Sequence, residues 1–482
     1  MKGMKMMRGR DAKRVLVAGL SALAIASGAA AAATGATRAG AGRADVTPPK
    51  RSLGTGDSIR DKVYARAIYV ETGQDCALLV GLDQGILSNE AYKGAVDRLN
   101  DLGCPAENII ISATHTHSGS NGGGAVGAEP TVKAVEDAIV AAVRKAKAKA
   151  RPARAVWSTT NVDLNTNRDL FVDGQWLQGP NSAGSSDKTL ALLSFIGADD
   201  KPIAVYMNYA MHPINYYLSG VVSGDYAGAA SRYVEDHFGG DMVAVFALGA
   251  AGDQNPKFVG PLYELMGHRA GVPELTDHRV TATPAWFTMA RNPPARAKVT
   301  ANEKPPVLAE RMAAYRKAVE DVGKLVDAEG AMLGEAVNDM LRYRIGRLDG
   351  NLVIRGASQN LQCPGRTRAD ADNPVRQGKL PPYTDGPEVD LKVGMLRLGD
   401  AYISSVNGEV YSDIAIRLKR EAPAAKLMMA TVANGLANSG YIYSNDADHR
   451  LTFQVIGSRL KPGCAEDAIV ETSLDMIGSL SK

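Results

Sequence analysis

The 482-residue sequence has no stripe of one charge. Lys and Arg together number 55 and Asp and Glu 52, so the formal net charge is only +3, and both signs are scattered along the chain. Nucleic-acid binding depends on a clustered basic face, so the composition argues against a nucleic-acid partner. A hydrophobic fraction of 45% with 22% charged residues is ordinary for a globular protein and excludes a fibre.

Long hydrophobic runs are also lacking. The apolar stretch near the N terminus, Val15 to Ala26, has roughly 12 residues, whereas a membrane-spanning helix needs about 20. Basic residues precede this stretch and small residues follow it, which is typical of an export signal. We expect residues 1–37 to be a signal peptide and the protein to be secreted or periplasmic. A membrane anchor is the alternative.

Cysteine is scarce, and no two cysteines form a Cys-x-x-Cys pair. This absence argues against a zinc site built from paired thiolates. Export permits disulfides, and the four cysteines allow three full pairings. Cys363 and Cys464 lie in loop-like contexts and are the expected pair. Cys76 lies in an apolar run and is interpreted as a buried thiol, which leaves Cys104 without an assigned partner.

Several common catalytic motifs are absent. The chain has no His-Glu-x-x-His of zinc proteases, no Gly-x-Ser-x-Gly nucleophile elbow and no phosphate-binding Gly-x-x-x-x-Gly-Lys-Ser/Thr loop. A TIM-barrel amidohydrolase would place a His-x-His motif on its first strand, whereas here several predicted strands come before that motif. The chemistry of this chain must therefore be sought elsewhere.

Predicted strands and helices alternate along the chain, which indicates an α/β fold of mixed β-sheets with flanking helices. No repeat or linker divides residues 38–482, so we expect one large catalytic domain. A helix is expected to begin at Glu409, and the helical stretch Leu308 to Leu341 to break near Gly330. The other predicted elements are strands Val63–Glu71, Cys76–Leu82, Asn108–Ala113, Leu190–Ile196, Ile203–Ala210, Met242–Leu248, Val393–Leu398, Ala401–Val406 and Leu427–Val432, and helices Glu90–Leu102, Thr131–Ala150 and Gly228–His237.

Three of the seven histidines follow predicted strands. His115 and His117 come directly after Asn108–Ala113, and alternation along a strand would turn both toward one cleft. His212 follows a second strand, and α/β proteins place their sites at the carboxyl ends of strands. A His-x-His pair alone is often structural. A further histidine at a separate strand end favours a catalytic zinc site, which needs about three nitrogen or oxygen ligands.

Six segments, in order from about residue 40 to 450, resemble segments of the neutral (non-lysosomal) ceramidase family. We interpret the chain as similar to the catalytic N-terminal domain of that family. The segments are Gly42–Pro49 (GRADVTPP), Ala113–Gly119 (ATHTHSG), Asp163–Leu170 (DLNTNRDL), Asn208–Pro213 (NYAMHP) with Ser223–Asp225, Asn407–Arg420 (NGEVYSDIAIRLKR) and Gly435–Ser444 (GLANSGYIYS).

The resemblance implies a Zn²⁺ ion held by His115, His212, Glu409 and Tyr441. Two imidazoles and a carboxylate suit Zn²⁺, and a tyrosine oxygen would be a weaker, displaceable ligand. Tyr443 stands two residues beyond Tyr441 and is the alternative if the register is shifted.

The implied reaction is hydrolysis of the amide bond of an N-acyl substrate by metal-activated water, with ceramide as the family's default substrate. His117 would shuttle a proton or stabilise the developing oxyanion. Arg168 would orient the substrate or support the ligands, with a surface salt bridge as the alternative. A lipid substrate would also be compatible with peripheral membrane contact.

Some residues depart from the family pattern. Asn255, in Gly252–Pro256 (GDQNP), takes the place of a serine in the family's Gly-Asp-Val-Ser-Pro and is expected to contact substrate. Ser120 to Gly122 replace Pro-Gly-Gly, and no C-terminal β-sandwich is expected before Lys482. These departures favour, as an alternative, a smaller amide or ester as substrate. A non-catalytic secreted binding protein is the third hypothesis, and the oligomeric state stays open.

Overall fold

Nineteen strands occur in the described part of the chain. The computed structural model describes residues 35–482 except 55, 120–129, 218, 271–308, 344–345, 348 and 372–374, so residues 1–34 of the predicted signal peptide and the predicted departure at 120–122 lie outside it. The strands are β1 Arg38–Asp45, β2 Ser58–Ile59, β3 Tyr64–Thr72, β4 Asp75–Leu82, β5 Ile109–Ala113, β6 Arg151–Asn161, β7 Asn165–Val172, β8 Gln175–Asn181, β9 Thr189–Gly197, β10 Pro202–Tyr209, β11 Val221–Val222, β12 Val243–Leu248, β13 Gln254–Pro256, β14 Ile354–Arg368, β15 Tyr383–Leu398, β16 Ala401–Val406, β17 Glu409–Val410, β18 Leu427–Ala430 and β19 Tyr441–Ile442.

Eight α-helices accompany these strands within the described residues, and none of them is both long and apolar enough to cross a bilayer. Hydroxyl side chains cap the N termini of two helices. Ser88 accepts from the backbone N–H of Ala91, and Thr131 accepts from that of Ala134. The helices are α1 Asn89–Asp97, α2 Val132–Ala148, α3 Asp225–Phe238, α4 Gly260–Ala270, α5 Met312–Tyr343, α6 Ser412–Glu421, α7 Phe453–Gly457 and α8 Ala465–Leu480.

The largest sheet has eight strands in the order β12-β10-β9-β6-β1-β3-β4-β5. Its two halves are joined only where β1 meets β6, at Arg38 and Ala39. The halves pack against each other, because a Cβ on Gly81 in β4 would lie 2.5 Å from the carbonyl oxygen of Phe246 in β12. Apolar side chains from both halves form one core with the four-stranded sheet β14-β15-β16-β18.

Three parallel strand pairs meet at their carboxyl ends. The pairs are β4 with β5, β10 with β12 and β16 with β18. The backbone N–H of Ala113 donates to Val432, and that of Thr431 donates to Leu248. These bonds place the chain segments that leave β5, β12 and β18 side by side, which is where α/β proteins build their sites.

The mixed α/β fold predicted from the sequence is confirmed, including the β3–β4 and β9–β10 pairs. The sequence did not reveal the long hairpin of β14 and β15, of which only Val393–Leu398 was predicted. Prolines and glycines interrupt it, at Pro364-Gly365 and Gly386-Pro387, and one bulge separates Cys363 from Gly365.

Two predictions about helices and one about a cysteine are wrong. Glu409 does not begin a helix: it lies in β17, and α6 starts three residues later at Ser412. Cys76 is not a free thiol, because it forms a disulfide with Cys104. The predicted Cys363–Cys464 pair is present.

The third error concerns α5, which runs unbroken through Gly330. A glycine is needed there for packing, since a Cβ on Gly330 would lie 2.5 Å from the Cβ of Ala229 in α3. Gly330 therefore allows α3 and α5 to approach closely, and α5 stays helical at this residue.

A buried acidic pair braces α5 and α3 against the loop that follows β10. The amide nitrogen of Asn215 donates to Asp225 Oδ1 at 2.9 Å and to Glu329 Oε2 at 2.8 Å. Burial, followed by the charge of Asp225, raises the pKa of Glu329 to about 8. Glu329 is therefore a neutral carboxylic acid over most of the physiological pH range.

We predict that Gly330→Ala destabilises the protein by about 1–3 kcal/mol, because the added methyl group overpacks the α3–α5 contact. Gly478→Ala in α8 is the matched control. Nothing lies within 4 Å of a Cβ at Gly478, so we expect it to stabilise the protein by about 0.5–1 kcal/mol. Denaturant unfolding measures both, and a stabilised Gly330→Ala variant would contradict the packing.

We predict that Glu329→Gln becomes progressively more stable than the wild type as the pH rises from 5 to 8.5. The folded-state pKa of about 8 lies above the reference value of 4.5, so wild-type stability is lost as the pH rises through this window, whereas glutamine stays neutral. The gap should reach about 1–4 kcal/mol at pH 8.5. Glu335→Gln, at a carboxylate of α5 whose pKa is lowered, is the control and should show no such growth.

Candidate metal centre

His115 projects from the turn that follows β5. Its backbone has a φ of +65°, a left-handed conformation that costs a non-glycine residue roughly 1–2 kcal/mol. The surrounding chain holds this conformation: the His115 N–H donates to Gln84 O at 3.0 Å, and Nδ1 is bonded to Gly85 O. Such strain is typical of functional sites.

His117 reaches the same place by a turn. We predicted that strand alternation turns His115 and His117 toward one cleft. This explanation is wrong, because β5 ends at Ala113, before both histidines. The His117 N–H instead donates to Pro213 O at 3.0 Å, which fixes it on the segment that carries His212. The His117 ring lies 4.7 Å from the ring of His115 and 5.3 Å from that of Tyr217, centre to centre.

His212 is held by the segment that follows β12. Its backbone N–H donates to Gln254 O at 3.1 Å, and its Nδ1 is bonded to Ala251 O at 2.7 Å. The side chain is 1% exposed. A carbonyl partner requires the proton on Nδ1, so the lone pair of Nε2 is left to face the centre.

Glu409 completes the set from β17. One carboxylate oxygen, Oε2, lies 3.1 Å from His115 Nε2 and 3.2 Å from His212 Nε2. In the parallel β17–β19 pair Glu409 stands opposite Tyr441. Two residues that are 32 positions apart in the sequence are thereby brought side by side.

These atoms form a donor set that fits a divalent cation. Carbonyl partners orient His115 and His212 so that two Nε2 lone pairs converge on a carboxylate oxygen, and electron-pair donors at such distances repel each other unless a positive charge lies between them. Nitrogen and oxygen donors of this kind suit Zn²⁺. His117 also lies close, since one nitrogen from each of the three histidines is within 4.8 Å of the others.

The pKa shifts agree with this donor set. Burial opposes ionisation of Glu409, but His115 and His212 hold the pKa of its carboxyl well below the usual range. Burial lowers the pKa of His212 to about 4, with a further contribution from Arg168, and burial together with His115 and His212 holds that of His117 well below its usual value. Burial works against protonation of His115, yet the Glu409 charge raises its pKa. The site thus favours a positive charge between His115 and Glu409.

Arg168, predicted to act on substrate or to form a surface salt bridge, is buried beside this centre. Its Nε and Nη2 donate to Gly252 O at 3.1 and 2.6 Å, and Nη1 donates to Asn255 Oδ1 at 3.1 Å. The guanidinium carbon lies 5.3 Å from the centre of the Tyr441 ring. A surface salt bridge is excluded, since Arg168 is 3% exposed.

Tyr441, and not Tyr443, lies at the centre. Its ring centre is 6.4 Å from that of His212, and burial followed by the Glu409 charge raises the pKa of its hydroxyl. The hydroxyl of Tyr443 instead donates to Leu460 O at 3.1 Å, within a separate cluster around Arg366. The structure thus brings together His115, His117, Arg168, His212, Asn255, Glu409 and Tyr441.

Sequence reasoning missed the part played by residues Ala251 to Asn255. This segment supplies carbonyl oxygens to His212 and Arg168, and the N–H of Gly252 donates to Val410 O at 2.7 Å. The GDQNP motif was recognised only as a departure at Asn255. Its position directly after a strand, like that of the two histidine segments, was the available signal.

Comparisons with known proteins relate this chain to one family. The family model for neutral/alkaline non-lysosomal ceramidase, N-terminal, matches residues 38–283, which is 246 of the 482 residues. A neutral ceramidase of Drosophila pseudoobscura is 26% identical over 51% of this chain and 40% of its own length, and one of Pseudomonas aeruginosa is 26% identical over 45% and 37%. The matched segments thus span about two fifths of these relatives.

Solved structures show the same fold. The crystal structure of neutral ceramidase from Pseudomonas aeruginosa superposes with a TM-score of 0.62 at 17% identity, covering 92% of this chain and 74% of that one. A structure described as ceramidase complexed with C2 superposes with a TM-score of 0.63 at 16% identity, over 93% and 75%. With more than half of its residues matched by the family model, this chain belongs to the neutral/alkaline non-lysosomal ceramidase family.

Proposed function

We propose that this chain is a zinc-dependent hydrolase that cleaves the amide bond of an N-acyl substrate, with ceramide as the first candidate. One observation carries the proposal: His115 Nε2, His212 Nε2 and a Glu409 oxygen converge at 3.1–3.2 Å. Membership of the ceramidase family and the names of the matched relatives support an amide of a lipid as substrate.

We assign the zinc ligands to His115, His212 and Glu409, with Tyr441 as a fourth, weaker ligand. The two histidines are buried and have their Nδ1 atoms bonded to backbone carbonyls, so their Nε2 atoms cannot turn away. His117 is less buried than these two histidines, and its ring packs against the ring of Tyr217. We therefore assign it to proton transfer and not to metal binding.

When bound, a zinc ion supplies Lewis acidity, which polarises a carbonyl group and makes water a stronger acid. His117 is neutral at neutral pH, because burial and the neighbouring His115 hold its pKa well below the usual value, so it can accept the proton that water loses. Returned to the amide nitrogen, the same proton would make the departing group a neutral amine.

We assign Arg168, which lies beside the Tyr441 ring, to stabilisation of the substrate carbonyl. The guanidinium is fixed by Gly252 and Asn255 and lies 5.3 Å from the Tyr441 ring, so its charge favours the negative oxygen that develops at the carbonyl. The Asn255 Oδ1 accepts from Nη1, so we infer that Asn255 acts on the substrate through the orientation of Arg168.

A second candidate is the same chemistry on a smaller amide or ester. Asn255 in place of serine is the observation that favours it, because an amide group replaces a hydroxyl next to Arg168. We also propose that the protein acts outside the cytoplasm, where its two disulfides would persist. The export-like N-terminal sequence supports this location, and a lipid substrate would bring the protein into peripheral contact with membranes.

We predict that the purified protein contains one zinc ion per chain and that His115→Ala or His212→Ala lowers this content severalfold or more. Inductively coupled plasma mass spectrometry on dialysed samples measures it. His237→Ala is the control, since His237 lies on the surface beside Arg342 and should keep the wild-type zinc content. Full zinc content in His115→Ala would overturn the ligand assignment.

We predict that the wild type releases fatty acid from a fluorescent ceramide, that a chelator abolishes this activity and that Zn²⁺ restores it. Short N-acyl amides and esters are tested in parallel, and a kcat/KM higher for these than for ceramide would select the second candidate. Zinc-loaded protein with no hydrolysis of any of these substrates would contradict the enzyme proposal and leave the binding-protein hypothesis.

A further inference from the structure

Asp253 is a buried acid that touches none of the assigned ligands. Its side chain is fully buried, and three groups donate to its carboxylate. The N–H of Ser412 donates to Oδ1 at 2.7 Å, while the Ser412 hydroxyl and the amide nitrogen of Asn167 donate to Oδ2, both at 2.9 Å. These three donors fix the orientation of both oxygens, even though burial raises the pKa of the acid to about 7.

The brace joins the segments that carry the metal-binding side chains. Ser412 comes three residues after Glu409 and is the first residue of α6, whose N-terminal N–H groups favour a negative partner. On the other side, Asp253 lies between Ala251 and Gln254, whose carbonyl oxygens hold the side chain and the backbone of His212. Fixing Asp253 to Ser412 therefore fixes Glu409 relative to His212.

The same segment leaves no space for an alternative arrangement. Gly252 donates to Val410 O at 2.7 Å, and a Cβ on Gly252 would lie 2.9 Å from that oxygen and 3.0 Å from Glu409 O. The N–H of Arg168 donates to Asp253 O at 2.8 Å, so the strand that carries the guanidinium is fastened at the same point.

We propose that Asp253 is a positioning residue that sets the distance between the Glu409 carboxylate and the His212 imidazole by holding the N–H of Ser412. This inference rests on the proposed zinc site. Groups bonded directly to metal ligands typically contribute 10–100-fold to metal affinity. Asp253 lies one contact further from the ligands, so its removal weakens zinc binding by a smaller factor.

The test is the zinc Kd of the folded protein, measured by competition with a chromophoric chelator. Asp253→Ala should weaken zinc binding by about 10-fold, the lower end of the effect seen for groups bonded directly to metal ligands. Asp253→Asn keeps one oxygen for the Ser412 N–H and should recover much of the affinity. Glu235→Gln is the control: it alters a buried carboxylate bonded to Arg66 and Ala244 and should lower stability without changing the Kd.

A second readout is the visible absorption spectrum of the Co²⁺-substituted protein, which reports coordination geometry. We expect Asp253→Ala and, more weakly, Asp253→Asn to change the cobalt bands, whereas Glu235→Gln leaves them unchanged. If Asp253→Ala does not fold, Asp253→Asn is measured in its place. The expected result is then a zinc Kd larger than that of the wild type and an altered cobalt spectrum.

The outcomes separate the two proposals. Wild-type protein that binds no zinc contradicts the proposed function itself. Wild-type protein that binds zinc, with Asp253 variants that have the same Kd and the same cobalt bands, overturns the positioning role alone. Equal loss of affinity in Glu235→Gln would also overturn it, because the effect would then follow from stability.

Discussion

The site depends on the convergence of electron-pair donors on one point. Two imidazole nitrogens face the same carboxylate oxygen at 3.1 and 3.2 Å, and backbone carbonyls at Gly85 and Ala251 fix the orientation of both rings. Held this close in a buried place, such donors repel each other unless a positive charge separates them. A fold that maintains this arrangement is stabilised when a cation binds, since binding to the folded state alone adds to stability.

The cost of the arrangement is spread over the segments around it. His115 has a left-handed backbone, and so has Val432, a β-branched residue for which φ of +49° is unfavourable. Both lie where the strand ends of β5 and β18 meet, and the bond from the Ala113 N–H to Val432 O joins them. The strain thus lies in the turns, while the three parallel strand pairs beneath them are regular and buried.

Residues Ala251 to Asn255 connect the parts of the centre. Two of their backbone carbonyls bond to His212. Arg168 donates to three of their oxygens, two on the backbone and one on the Asn255 side chain. The Asp253 side chain accepts from the first residue of α6. A short, buried segment with this many directional bonds has one conformation. His212, Glu409 and Arg168 therefore come from distant parts of the sequence, yet one chain segment holds them together, while Gln84 and Gly85 hold His115.

The segment Ala251 to Asn255 follows a buried strand, yet its part in the site was missed. The sequence was informative where a histidine directly follows such a strand. His115 and His212 were found in this way, and the family resemblance added Glu409 and Tyr441. Features created by tertiary contact were not predictable: the Cys76–Cys104 disulfide, the Glu409–Tyr441 strand pair and the helix packing at Gly330 all join residues by contacts that no local pattern encodes. Asp253 belongs with them, since its partners Ser412 and Asn167 are far from it in sequence.

Anomalous diffraction from crystals of the zinc-loaded protein, collected on both sides of the zinc absorption edge, tests the central claim most directly. The account predicts one strong peak, about 2.0–2.2 Å from His115 Nε2, His212 Nε2 and a Glu409 oxygen. A peak bound by His117 in place of Glu409, or no peak between these side chains, would contradict it.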